Sequence, residues 1–267
     1  MFKRVLSKQN RALLNELVRT DFKLRYQGSA LGYAWSLLRP LLVFLILYIV
    51  FVKFLKLGAG VPHYPVYLLL GIVLWNFFLE MTTQSLTSIV GRGDLIRKIR
   101  IPRWIIVVSS SFSVLINFLL NLLVVAVFII FSHVGILSTI IWFPFLVFEI
   151  YIFSLGLSFL LAALYVKFRD ISYIWEVCLQ AGFYITPILY ALSRIPNHMY
   201  QKIILLNPMA QSIQDARYSI ITHDTITGYK VFQHGWHELI PFIIVVFAFA
   251  VSVVYFRKES KFFAENI

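Results

Sequence analysis

Five polar residues interrupt an otherwise apolar run: Asn76, Glu80, Thr83, Gln84 and Thr87. Their spacing places all five on one face of a helix. A second run repeats the pattern with Tyr173, Glu176, Gln180 and Tyr184. A carboxylate near the centre of a bilayer costs about 2.5–3.5 kcal/mol on insertion scales, so such stripes face protein or water. Amides, hydroxyls and two carboxylates without basic neighbours suit hydrogen bonding to a hydroxyl-rich solute in a hydrated path. They do not suit acid–base catalysis, because the acids are scattered and do not converge in sequence. A third run carries Ser110, Ser113, Asn117 and Asn121, and a fourth carries Glu149 followed by Tyr151, Ser154 and Ser158. Serine and asparagine at such spacing read first as interhelical glue, worth about 0.6–2 kcal/mol each.

Familiar catalytic signatures are missing. The chain has no Gly-x-x-x-x-Gly-Lys-Ser/Thr phosphate loop, no Gly-x-Ser-x-Gly elbow and no His-Glu-x-x-His. His234, His237 and Glu238 have metal-ligating types, but no distant further ligand can be named, so an interfacial loop is the better reading. No catalytic, cofactor-binding or metal residue is expected. A process that consumes energy must draw it from another subunit.

The elements that hold these stripes follow from composition. The chain has 267 residues, 60% hydrophobic and only 13% charged, which marks an integral membrane protein. Crossing roughly 30 Å of hydrocarbon takes about 20 apolar residues in a helix. Six apolar runs meet that length, at about 36–57, 65–90, 104–131, 139–165, 172–191 and 239–256. Trp35, Trp75, Trp104 and Trp236 read as interfacial aromatics near some of the span ends. Residues 2–24 alternate as an amphipathic helix, too polar to span. It fits the headgroup plane, with packing on cytosolic protein as the alternative.

Between the second and third runs lies Gly91 to Trp104, with Arg92, Arg97, Lys98, Arg100 and Arg103 against one acid, Asp94. Such a segment sits at a membrane surface. Counting Lys and Arg by side gives eighteen against six, so the positive-inside rule puts both termini in the cytosol. The net charge of +12 then reflects topology and anionic lipid, not nucleic acid. Cys178 has no partner for an intrachain disulfide, and the first 35 residues do not resemble a cleavable signal peptide.

The segment 192–238 holds two helices too short to span. One is apolar, over residues 199–206; the other starts at Asn207 and Pro208, a capping residue and a first-turn proline. Re-entrant or interfacial pieces at an outer mouth and a covering flap both fit. The organisation is one transmembrane domain over 1–267: an interfacial helix (1–35), five spans (36–191), an outer segment (192–238), a last span (239–256) and a tail (257–267).

Several blocks resemble the permease subunits of ABC-type polysaccharide exporters, the family that moves lipid-linked O-antigen, teichoic acid and capsule chains. They are residues 21–41 (DFKLRYQGSALGYAWSLLRPL), 71–78 (GIVLWNFF), 95–103 (LIRKIRIPR), 169–171 (RDI), 186–190 (TPILY) and 207–209 (NPM). Ile101 departs from the pattern, which more often has an aromatic before the proline.

The resemblance implies an all-α protein with six spans, in a bacterial or archaeal plasma (inner) membrane. It also implies a homodimer and two copies of a separate ATPase that uses ATP and magnesium. In that frame Leu95, Ile96, Arg97, Lys98, Ile99, Arg100, Pro102 and Arg103 form a coupling helix, with Leu95, Ile96, Ile99 and Pro102 expected to make the contact. Arg25 and Arg39 would meet a pyrophosphate head group, and Pro187, Tyr190, Asn207 and Pro208 belong to the outer gate. The eight residues Asn76, Glu80, Thr83, Gln84, Thr87, Glu176, Gln180 and Tyr184 would line the path. Alternatives are a permease for a small lipid or drug and an intramembrane transferase acting on polyprenyl-linked sugars.

Overall fold

The computed structural model describes residues 8–26, 32, 34–56, 58, 60–98, 101–232 and 236–263; the side chains of Phe22, Leu24, Arg25, Tyr26 and Arg39 fall outside it. The described residues form helices and short turns, and five helices are long and apolar enough to cross a membrane.

Helix α1 (Lys8–Tyr26) leads to α2 (Ala34–Leu47), which runs on through a π-helical stretch, Tyr48–Phe54. Pro40 inside α2 removes one backbone donor, and such disturbances accompany irregular helix geometry. The next span is α3 (Tyr64–Ser88), followed by the short α4 (Gly93–Lys98) and then α5 (Trp104–Phe131). A 3-10 turn at Ser138–Trp142 feeds α6 (Phe143–Lys167), and α7 (Ile171–Ile185) follows. The outer segment holds α8 (His198–Leu205), α9 (Pro208–Ile220) and α10 (Gly228–Phe232) before the last span, α11 (Ile240–Glu259). Prolines open four of these helices at or near the first turn, where a missing N–H costs nothing: α3, α6, α9 and α11.

Helix α3 is the centre of the molecule. In its most apolar stretch 78% is buried, against 6% for the α2 span. It packs on α5 and α6, while α6 also carries α11 and α9. Leu68, Ile72, Met81, Ile106, Ala162 and Ile213 meet in this core. Between spans, dispersion and hydrogen bonds hold the contact, since lipid is as apolar as leucine. Ser158 Oγ donates to the Met81 carbonyl at 3.1 Å, and Ser111 and Tyr151 share a 3.0 Å bond.

Three expectations change. The run 172–191 yields a helix of only 15 residues, because the chain turns extended at Thr186 ahead of Pro187. It is therefore not among the five helices of spanning length. Trp75 is not interfacial: it lies near the middle of α3, buried against Phe78 and Phe183. Helix α1 leans along the first half of α5, where Leu14 and Val18 share a groove with Phe112 and Ile116. Part of its surface therefore meets protein.

Candidate functional site

Helices α3 and α7 face each other across a groove of about 740 Å³. Asn76, Glu80, Thr83, Gln84 and Thr87 line one wall; Glu176, Gln180 and Tyr184 line the other. The eight side chains singled out by helical spacing share one cavity. Their stripe is the least buried part of α3, whose other faces are packed in protein. Helix α7 comes close because Gly182 lies under the Trp75 ring, where a Cβ would sit 2.9 Å from the ring. Trp175 Nε1 donates to Thr82 Oγ1 at 3.1 Å and ties the two walls together.

No Lys, Arg or His lines the groove, so Glu80 and Glu176 make it acidic. Glu80 accepts from Asn117 Nδ2 at 3.0 Å, which gives the α5 stripe one partner on α3. The rest of that stripe turns inward: Ser110, Ser113 and Asn121 bond backbone carbonyls one turn earlier. Glu176, Gln180 and Gln84 make no side-chain hydrogen bond among the described residues, so their capacity faces the groove. The outward face of α7 carries Tyr173 at 71% exposure and the free thiol of Cys178.

A second polar centre sits beside the turn that ends α7. Arg217 of α9 is fully buried. Its Nε donates to the Tyr67 carbonyl at 3.0 Å, Nη1 to the Pro187 carbonyl at 2.5 Å and Nη2 to the Ile188 carbonyl at 2.8 Å. The guanidinium also lies 3.6 Å from the centre of the Tyr67 ring, in cation–π range. Burial lowers its pKa, and Tyr67 and Tyr64 oppose that. One side chain thus joins α3, α9 and the 187–188 turn. Gly71 makes room for it, since a Cβ there would meet Nη2 at 2.4 Å. Tyr67 Oη donates to Gln214 Oε1 at 3.1 Å, and Tyr64 Oη donates to the Leu189 carbonyl.

The expected gate residues surround this latch. Pro187 supplies a carbonyl to it, and Tyr190 Oη donates back to the Ile185 carbonyl at 3.0 Å. Asn207 caps α9 by accepting from the Met209 N–H at 3.0 Å, with Pro208 in the first turn. Asn197 caps α8 in the same way.

The profile of the ABC-2 type transporter family matches residues 12–221, from α1 to the end of α9. The chain belongs to the ABC-2 type transporter family. The match takes in the groove and the latch and leaves α11 outside. Three related proteins carry the description O-antigen export system permease protein RfbA. The one from Myxococcus xanthus is 30% identical over 97% of this chain and 96% of its own length. Two from Klebsiella pneumoniae are 34% and 32% identical, each over 75% of this chain and 77% of its own length.

In this ABC-2 chain the basic segment folds as a short helix with sorted faces. Ile96 and Gly93 of α4 are buried, with Ile96 in the chain's main core, while Asp94, Arg97 and Lys98 are exposed. The apolar side expected to meet an ATPase is thus partly used within the chain. Leu95, Pro102 and Arg103 are half-buried; Ile99 and Arg100 lie outside the described residues, as do the Arg25 and Arg39 side chains. Arg92 ties the segment down: it pairs with Asp21 of α1 and donates to Ser109 Oγ at 3.0 Å on α5.

Spacing alone missed Arg217, which reads in sequence as one more outer charge. The available signal was an arginine after an Asn-Pro start, amid small residues and amides. It also missed Glu149, which is buried facing Ser212 and Gln211 of α9. Among the described residues no three metal-ligating side chains converge.

Proposed function

We propose that this chain is the membrane permease of an ATP-driven exporter that carries a lipid-linked polysaccharide from the cytosolic to the outer side. The observation that carries this reading is the groove: eight polar side chains from two helices, with hydroxyl-binding chemistry and no phosphate loop anywhere in the chain. Full-length similarity to an O-antigen export permease supports the substrate class. Two copies of a separate ATPase consume ATP and magnesium, and this chain binds neither. Two copies of the permease enclose the path, with the exposed face of α7 turned toward the partner copy.

In this reading α7 and the 186–190 segment together complete a sixth span. The molecule sits in a bacterial or archaeal inner membrane with both termini in the cytosol, as the bias of basic residues requires. ATP-driven closure of the partner pushes on α4, where Asp94, Arg97 and Lys98 offer the exposed contact. The push tilts α3 and α5, which flank the segment. Asn76, Glu80, Thr83, Gln84, Thr87, Glu176, Gln180 and Tyr184 then bond sugar hydroxyls as the chain passes. Arg25 and Arg39 meet the pyrophosphate head group, at about 1 kcal/mol per basic residue near the surface. The turn at Pro187 to Tyr190 and the start of α9 at Asn207 and Pro208 form the outer gate.

Charge reversal tests the coupling. Arg97→Glu with Lys98→Glu leaves the permease inserted and abolishes surface polysaccharide in a strain lacking the native gene. Normal export by that variant overturns the coupling role. Unchanged surface polysaccharide in the deletion strain overturns the substrate class and turns the reading toward a small lipid or drug.

A further inference from the structure

At the end of the molecule that carries the basic segment, α5, α6 and α11 leave a second groove, of about 520 Å³. It shares no lining residue with the polar one. Val108, Phe159, Phe249 and Val253 form its walls; Arg103 and Arg257 stand where α5 begins and α11 ends. Neither arginine makes an ion pair or a side-chain hydrogen bond among the described residues, and Arg103 Nε is buried without an acceptor. From Phe249 to Arg257 α11 rises about 12 Å at ~1.5 Å per residue, close to one leaflet of a ~30 Å hydrocarbon layer.

We propose that this groove holds one phospholipid with an anionic head group. An acyl chain lies along Val108, Phe159, Phe249 and Val253, and the phosphate sits between Arg103 and Arg257. Apolar walls inside a membrane take hydrocarbon, while a guanidinium pair takes a phosphodiester by charge-assisted hydrogen bonds. The charges therefore select the head group and the walls select the chain. Pro102 and Arg103 also belong to the segment leading from α4, so a lipid held here touches the proposed coupling region. The inference rests on the chain spanning a membrane, not on what it transports.

Native mass spectrometry of the purified full-length chain, with chain-matched phosphatidylglycerol or phosphatidylcholine added, tests it. The wild type retains phosphatidylglycerol over phosphatidylcholine by about 25-fold, roughly fivefold per arginine. The Arg103→Gln, Arg257→Gln variant brings that ratio near one, and Val253→Trp, which fills the groove without changing charge, releases both lipids. Equal retention of the two lipids by the wild type overturns the proposal, as does undiminished phosphatidylglycerol on either variant. If the double variant fails to insert, Arg257→Lys is compared with Arg257→Gln. A fivefold loss confined to the glutamine variant supports the site, and no difference between them overturns it.

Discussion

The groove between α3 and α7 and the latch around Arg217 are both polar centres in a chain of apolar helices, and they differ in where their hydrogen bonds go. Arg217 directs its fork at three backbone carbonyls and an aromatic face, with no carboxylate involved. Nothing is left for a solute. Across the groove, Glu176, Gln180 and Gln84 make no side-chain bond among the described residues, and the walls stay open. A saturated polar centre holds shape, while an unsaturated one is available to a passing ligand. Polarity within a span therefore says little until the partners are known.

The contrast breaks first at Arg217. Arg217→Ala leaves the Tyr67, Pro187 and Ile188 carbonyls buried and unpaired, at about 1–3 kcal/mol each. A total loss of about 3 kcal/mol or more is expected, read as a drop in the unfolding midpoint of the purified protein. Arg217→Lys recovers only part of it, since one ammonium cannot match the fork. A variant as stable as wild type would remove the distinction.

Asp215, one turn from Gln211 on α9, gives an intermediate effect. Burial pushes its pKa from 3.8 up to about 6, the 2.5 Å bond from Gln211 Nε2 opposes this, and Glu238 adds to it. Buried Glu149 also faces this part of α9. The folded state holds the proton more tightly than the unfolded one, so stability falls as pH rises from 3.8 through about 6. Because Asp215 is only half-buried, the loss is on the order of 1–2 kcal/mol. Asp215→Asn should flatten that slope in thermal unfolding scans taken between pH 4 and 7, and an unchanged slope would assign it elsewhere.

The smallest structural effect belongs to the groove. Glu176→Gln and Gln180→Ala remove groups with no partner in the chain, so stability should stay within about 0.5 kcal/mol. Export measured by surface polysaccharide should still fall severalfold. Unimpaired export with both substituted would make the groove a passive surface and sharpen the case for the latch as the only functional polar centre.

Much of the groove was legible in the chain itself. Glu80 and Gln84, or Glu176 and Gln180, share a face because 3.6 residues make a turn, whatever else the helix touches. Their mutual approach was not legible, because it depends on Gly182 admitting the Trp75 ring and on Trp175 reaching Thr82. The basic segment was visible from its charges, but the split of α4 into buried Ile96 and exposed Arg97 and Lys98 was not. Six residues carry too little periodicity to orient a helix. The 15-residue length of α7 was hidden for a related reason: apolarity continues through Ile188 and Leu189, while the helix stops at the proline.

By itself, the sequence determined that this is a helical membrane protein, where its polar stripes fall and how several of its helices begin, at Asn207 and Pro208 among them. These depend on local rules: transfer of apolar residues into hydrocarbon, helical periodicity, and the missing N–H of proline. Tertiary structure alone decided that Arg217 is an internal latch and not a loop charge. Its three acceptors lie 150, 30 and 29 residues away along the chain, and no local rule brings carbonyls from α3 and the 187–188 turn to one guanidinium.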